Sequence, residues 1–235
     1  MGGNTESLDR KAVESLLDWW QVSGVDVAVS ERPRDWLRAK ATIAVEAASA
    51  IPAVTERPQQ LEQFQAWLAS ANGLPLDRPG ALRSVPQGPG QAPVMVLGDL
   101  PDRDDIAIAR PFGGDAAQLL DRMLQAIGID SAEAYRASLA CFHAPGARIG
   151  RDELEQCAAI ARDHVRLAKP QRLILFGDAP ARAMIGEPLA RARGRIHKVE
   201  GIRTIATFHP RWLLQRPSDK ALAWKDLLLL MSESE

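Results

Sequence analysis

The sequence predicts a three-layer α/β/α sandwich around a central, mainly parallel sheet of four strands, preceded by an N-terminal helical extension. Short apolar runs typical of buried strands alternate with amphipathic stretches of helical spacing. This alternation indicates a parallel sheet that helices cover on both faces. The predicted strands are residues 93–98, 135–141, 172–177 and 203–208, and the predicted helices are residues 115–127, 152–168, a stretch from 178, and 218–231.

The composition excludes several classes of protein. With 46% hydrophobic and 25% charged residues, the chain is neither disordered, collagenous nor a coiled coil. Its apolar runs are only a few residues long, so no membrane-spanning helix is expected. The first residues lack the apolar core of a signal peptide, and the two cysteines form no CxxC pair. We therefore expect a cytoplasmic protein in a reducing compartment.

Three regions follow from the pattern along the chain. Residues 1–75 predict a helical region, because apolar residues recur at helical spacing in three stretches of it. Residues 76–92 are rich in proline and glycine, which is typical of a linker or of an extended crossing segment. Residues 93–235 then form the α/β domain. The tryptophans of the helical region are expected to pack in a core or dock, and they are Trp19, Trp20, Trp36 and Trp67.

Polar residues follow the first and last predicted strands, at the edge of a parallel sheet where ligands usually bind. Asp99 lies on a tight turn, where a carboxylate can orient and activate a water molecule. The alternative is a turn aspartate satisfied by backbone amides. His209 precedes a proline that fixes the backbone, so its imidazole can act as a donor or an electrophile. The alternative here is a histidine that caps a helix.

The loop after Asp99 carries further candidates. Phe112 lies between a proline and two glycines and can offer a ring face to a flat ligand, or it can anchor the core. Four aspartates crowd this loop, so a metal site is conceivable. They lack the spacing of a calcium loop, which favours exposed turn residues. These aspartates are Asp99, Asp102, Asp104 and Asp105.

The charge is unevenly distributed although the chain has a net charge of only −1. Residues 161–216 hold twelve Lys or Arg and four Asp or Glu, a net charge of +8. Such a segment is either a footprint for a polyanion or a solvated face. Within it, Arg195 and Lys198 flank a basic turn suited to phosphate contact. The residues after His209 suit insertion into a base stack or ordinary packing.

The order and spacing of these segments resemble the uracil-DNA glycosylase superfamily. The resemblance rests on GDLPDRDD, RPFGGDAAQLL, KPQRLILFGDAP and HPRWLL, and it covers roughly residues 93–231. It is nearest to the bacterial iron–sulfur branch, family 4. That branch carries a GEAPG loop, an RPFVG segment, an Asn-bearing strand leading into KCRPP, and an HP-x-x-LL loop.

The resemblance implies base-excision repair of DNA, in which a uracil is flipped out and its N-glycosidic bond is hydrolysed. Asp99 matches the acid that orients water, and His209 matches the histidine that stabilises the departing base. Phe112 matches the aromatic that stacks on the base, with Leu100 and Ser138 completing the base pocket. The implied DNA contacts are Arg195, Lys198, Arg211, Trp212 and Leu213.

The chain departs from the family pattern at several positions. Asp99 replaces a glutamate, and Asp102 replaces a glycine in a loop that approaches phosphate. Ala137 and Ser138 occupy the stretch that holds the family's base-reading asparagine. Two of four iron–sulfur ligands are matched, by Cys141 and Cys157, so we expect no cluster, no metal and no other cofactor. The N-terminal helices would then take over the bracing role of the cluster.

Two functions remain open from the sequence. The first is a DNA glycosylase that acts through Asp99 and His209 on uracil or another deaminated base. The second is a catalytically inactive protein of the same fold that binds DNA or a repair partner, with the N-terminal helices as the partner surface. The retained Phe112 and His209 favour the first, whereas the lost asparagine and loop glycine favour the second.

Overall fold

The computed structural model describes residues 57–143 and 149–232. The first two predicted helices lie outside these residues, and so do Trp19, Trp20 and Trp36. The predicted division into residues 1–75, 76–92 and 93–235 therefore stays a prediction. In order, the elements are α1 (Leu61–Ser70), β1 (Met95–Gly98), α2 (Arg103–Ala107), α3 (Gly114–Ala126), β2 (Tyr135–Ser138), α4 (Arg151–Ala168), β3 (Arg172–Phe176), α5 (Asp178–Met184), α6 (Leu189–Ala192), β4 (His197–Val199), β5 (Ile202–Thr207), α7 (Pro210–Gln215) and α8 (Lys220–Met231).

The central sheet has the strand order β2-β1-β3-β5-β4. The first four of these strands are parallel, and β4 pairs antiparallel with β5. The predicted α/β/α architecture is confirmed, but the sheet has five strands where four were predicted. The additional strand, β4, comes from the predicted basic turn. It joins β5 through Glu200 and Gly201, which both have positive φ as a tight hairpin turn requires.

Alternate residues of the strands face opposite layers of helices. Met95 and Leu97 of β1 pack with α1, α4 and α5 on one face of the sheet. Val96 packs with α3 and α8 on the other face. The interior strands are buried on both faces, which explains their nearly continuous apolar sequences. Among the described residues, no helix has both the length and the apolar character needed to cross a membrane.

The proline- and glycine-rich segment runs along the outer edge of β2. Gln87 and Arg136 exchange two backbone hydrogen bonds, with N···O distances of 2.9 and 2.7 Å. Ser84 donates its N–H to the Cys141 carbonyl at 2.8 Å. The segment therefore covers part of an edge that would otherwise expose unpaired backbone groups.

Helix α1 is fastened to the sheet by a buried polar network. The hydroxyl of Tyr135 lies 2.6 Å from Nε2 of His164 on α4 and accepts a hydrogen bond from Gln65 on α1 at 2.8 Å. Burial lowers the pKa of His164 to about 3, so its imidazole is neutral and Nε2 accepts the Tyr135 proton. The ring of Phe64 packs 5.2 Å from the same imidazole.

Replacing Gly88 with alanine should destabilise the protein markedly. Gly88 has φ +136, and an added Cβ would lie 2.6 Å from Cα of Tyr135, a backbone atom that cannot move cheaply. We expect the free energy of unfolding to fall by about 2–4 kcal/mol in chemical denaturation. Gly80→Ala is the matched control, because Gly80 has φ +80 with no atom near its Cβ position, and its loss should be about 1 kcal/mol. Equal losses would contradict a tight fit at the β2 edge.

Candidate active site

Asp99 lies at the carboxyl end of β1 in a half-buried turn. Its Oδ1 accepts a hydrogen bond from the Leu100 N–H at 3.0 Å, and its Oδ2 lies against Gly177, 3.1 Å from where a Cβ would be. Gly177 therefore leaves the room that the carboxylate occupies. Burial raises the pKa of Asp99, while the Leu100 N–H and the Arg211 cation act in the opposite direction.

Phe112 is buried against the same strand end. The backbone of Phe112 has φ +60, which is uncommon for a residue with a bulky side chain. The Phe112 ring lies directly on Gly98. A Cβ on Gly98 would come within 2.9 Å of Cζ of Phe112. The segment is held from behind by Asp105, whose Oδ1 accepts a hydrogen bond from the Gly113 N–H at 2.6 Å.

His209 forms the N-cap of α7 and is 9% exposed. Its Nδ1 accepts a hydrogen bond from the Arg211 backbone N–H at 3.1 Å, so in the neutral ring the hydrogen is on Nε2. Burial lowers the pKa of His209 to about 3, and the Arg211 cation adds to this effect. The imidazole lies nearly parallel to the Phe112 ring, with centroids 5.3 Å apart and planes inclined by 8°.

The structure thus brings Asp99, Phe112 and His209 together around the end of β1. Nε2 of His209 lies 3.4 Å from the position that a Cβ of Gly98 would take. Ser138 ends β2 directly beside Gly98 in the register of the sheet. The set offers a carboxylate, a neutral N–H donor and an aromatic ring. Such groups can stabilise positive charge at one end of a breaking bond and negative charge at the other.

Arg211 faces inward to the loop after β1. Its Nη2 donates to the Leu100 carbonyl at 2.9 Å, and its Nη1 lies 2.7 Å from Oδ2 of Asp102. Its Nε lies 3.3 Å from Nδ1 of His209. The guanidinium predicted to contact DNA is therefore held by protein groups.

Two of the loop aspartates are structural. Asp102 and Asp105 form a reciprocal capping box at the start of α2, with both N···O distances 3.0 Å. Asp105 is 5% exposed, so the expectation of an exposed turn residue is wrong there. The negative charge of Asp102 is paired with the Arg211 cation. In the described part of the chain, no group of three or more His, Cys, Asp or Glu is placed to hold a metal.

The two cysteines do not fit an iron–sulfur cluster. Cys141 and Cys157 are buried beside a cavity of about 20 Å³, which His164 and Ser138 also line. Burial raises the pKa of the two thiols to about 11 and about 12, so both are protonated. A cluster held by four cysteines cannot form, because the sequence contains no further cysteine to complete the set.

The predicted DNA contacts do not all lie near this site. Lys198 is opposite Arg203 in the β4–β5 pair, four residues before the end of β5, which is about 13 Å along the strand. Arg195 is exposed and pairs with Glu187 at 2.5 Å.

The apolar residues after His209 differ in their exposure. Leu213 is 1% exposed and packs inward, so in this conformation it cannot enter a base stack. Leu214 is 42% exposed and Trp212 is 39% exposed. Trp212 lies nearly parallel to Phe208, with centroids 6.4 Å apart, and donates Nε1–H to Asp219 at 2.8 Å. Insertion into a base stack was predicted for the residues after His209 as a group, because adjacent leucines in a short helix look alike in a sequence.

The sequence did not predict the cleft that lies beside Phe112. It has a volume of about 580 Å³ and lies between the first turns of α3 and the β2 edge. Arg110 and Arg136 line it, and Arg136 pairs with Asp121 at 2.5 Å. The residues lining this cleft come from several loops, from α3 and from β2, so no local motif signals it.

Comparison with known proteins agrees with this fold. Residues 85–228, more than half of the chain, match the family model of the uracil DNA glycosylase superfamily. The chain therefore belongs to this superfamily, as the motifs predicted. It is 26% identical over 147 residues to the type-4 uracil-DNA glycosylase of Pyrobaculum aerophilum, covering 58% of this chain and 75% of the relative. It is also 26% identical over 141 residues to the type-4 uracil-DNA glycosylase of Archaeoglobus fulgidus, covering 55% and 71%.

We expect His209 to remain neutral, with its hydrogen on Nε2, from roughly pH 5 to pH 8. Burial and the Arg211 cation oppose protonation, and the Arg211 N–H occupies Nδ1. Nitrogen-15 NMR of the ring reports both the charge and the tautomer. A resonance that titrates near the ordinary value of about 6.5, or a ring protonated on Nδ1, would contradict this geometry.

Proposed function

We propose that the chain is a DNA glycosylase that hydrolyses the N-glycosidic bond of uracil or another deaminated base flipped out of DNA. The observation that carries this proposal is the meeting of Asp99, Phe112 and His209 at the end of β1. Membership of the superfamily and the likeness to two type-4 uracil-DNA glycosylases support it.

The two polar groups suit opposite ends of the scissile bond. As the bond from sugar to base breaks, the base gains negative charge, and the neutral Nε2–H of His209 can donate to its oxygen. The sugar gains oxocarbenium character, which the Asp99 carboxylate stabilises. Asp99 then orients a water that attacks the anomeric carbon, and the proton released by this water passes to the carboxylate.

The base pocket favours relaxed selectivity. Ser138 stands beside Gly98, in the stretch where the resemblance places an asparagine. A hydroxyl offers one donor and cannot form the paired contacts of an amide, so it discriminates less between bases. Uracil, hypoxanthine and xanthine are therefore the substrates to test.

The DNA surface is proposed to lie beside His209. Trp212 and Leu214 expose apolar area on α7, where they could fill the space that a flipped nucleotide leaves. Arg216 lies over the Trp212 ring at 4.6 Å and places a cation beside this surface.

Asp99→Asn should strongly slow base release, because the amide cannot take the proton of the attacking water or stabilise the charged sugar. Purified protein is incubated with single- and double-stranded oligonucleotides that contain one deaminated base, and the free base is measured. We expect the rate to fall by about 10²- to 10⁴-fold. Asp152→Asn is the matched control, since Asp152 is an exposed aspartate in the first turn of α4. Equal rates for wild type and Asp99→Asn would overturn the proposed role.

The pH profile of this activity should have one acidic limb. The reaction requires ionised Asp99, whose pKa is raised, so activity should fall with acid at a higher pH than an ordinary aspartate would cause. His209 is already neutral above about pH 3 and should add no limb near neutrality. The logarithm of kcat/KM measured against pH tests this. A limb that survives unchanged when Asp99 is replaced by glutamate would contradict the assignment to Asp99.

A second candidate is a protein of this fold that binds DNA without cleaving it. The observation in its favour is the spacing of Phe112 and His209, whose ring centroids are 5.3 Å apart. The His209 ring already lies parallel to this face of Phe112, so a base can stack on Phe112 only if that ring shifts or offers its other face. This second function is supported if no base is released from any of the three substrates while DNA binding weakens with salt.

A further inference from the structure

The ion pair between Asp102 and Arg211 joins the segments that follow β1 and β5. The residues are 109 positions apart, at the N-cap of α2 and in the first turn of α7. The side chain of Asp102 is 30% exposed and that of Arg211 is 28% exposed. Asp102 also caps α2 through the Asp105 N–H, so the carboxylate that holds Arg211 is itself fixed.

The guanidinium makes contacts on both sides of the site. On the β1 side it donates to the Leu100 carbonyl at 2.9 Å, directly after Asp99. On the α7 side its Nε lies 3.3 Å from Nδ1 of His209. The distance between the two catalytic candidates is therefore set through one rigid planar group.

We propose that Arg211, anchored by Asp102, is a positioning residue that clamps the Asp99 loop to His209. This inference rests on the proposed function, and it replaces the prediction that Arg211 contacts DNA. The clamp fixes the approach of the carboxylate and the imidazole, which hydrogen bonds within either loop alone cannot do.

The charge of Arg211 suits both groups that it positions. Burial favours the neutral forms of Asp99 and His209, whereas the reaction needs Asp99 ionised. The cation lowers the pKa of Asp99, against the influence of burial and of Asp178. It also lowers the pKa of His209, against the influence of Asp102. The Arg211 cation thus favours both the ionised form of Asp99 and the neutral form of His209.

The first test needs no activity. The exchange of the Arg211 Nε–H with water is measured by NMR in the wild-type chain and in Asp102→Asn. The asparagine oxygen can still cap α2, so this variant removes the charge of the anchor. We expect slow exchange in the wild type and at least about tenfold faster exchange in Asp102→Asn. Arg78 is the internal control, since it is 62% exposed and 3.8 Å from Glu153, and its Nε–H should exchange rapidly in both proteins.

Two results would overturn the clamp. One is an Arg211 Nε–H that exchanges as rapidly as that of Arg78 in the wild type. The other is an exchange rate that Asp102→Asn does not change. Both are decided whether or not the chain releases a base, so the clamp and the proposed function can fail separately.

The second test uses base release and DNA binding. Arg211→Gln and Asp102→Asn should each lower kcat by about 10- to 100-fold with little change in KM, because misplaced groups fail in the transition state. The double variant should be no worse than Arg211→Gln alone, and Arg211→Lys should recover part of the rate. If Arg211 contacts phosphate instead, Arg211→Gln raises KM and reduces the salt slope of binding by about one, which overturns the proposal.

Discussion

The absence of a side chain at the end of β1 is the constraint on which the site depends. Gly98 lets the Phe112 ring and the His209 imidazole lie against the strand, where a Cβ would come within 2.9 Å of one and 3.4 Å of the other. The next residue is Asp99, so the backbone turn that ends the strand also delivers the carboxylate. The sheet thereby fixes where the chemistry is placed, and the loops that bring the other groups must fit around one glycine.

The apolar core made most of the fold predictable. The runs at β1 and β3 are buried on both faces, so their sequences are almost continuously apolar, and the alternating helices then imply the layers. β4 escaped prediction because it has three residues, one of them an exposed lysine, and it exists only by pairing with β5. The turn between β4 and β5 was predictable from the sequence, because a glycine between two short strand-like runs is typical of a hairpin.

The sequence predicted the main residues of the candidate site, but fewer of the contacts between them. Asp99, Phe112 and His209 each follow a local signal, whereas the partner of Arg211 lies 109 residues away at Asp102 and leaves no periodic trace. The Asp102–Asp105 capping box was readable from the spacing of its two acids. Which of Leu213 and Leu214 is exposed depends on how the six-residue α7 is rotated against α3, a tertiary property that its own sequence does not contain.

The described part of the N-terminal extension shows how this fold can hold its β2 edge by packing. Arg83 donates to the Leu68 carbonyl at 3.0 Å and to the Ala71 carbonyl at 2.5 Å, which satisfies the end of α1. The same guanidinium lies 4.6 Å from the centre of the Phe142 ring, next to Cys141. With the Tyr135–His164–Gln65 network, these contacts tie α1, β2 and α4 together around the cysteines. Hydrogen bonds and aromatic packing thus brace residues 139–143 after β2, which begin beside Gly98 and the candidate site.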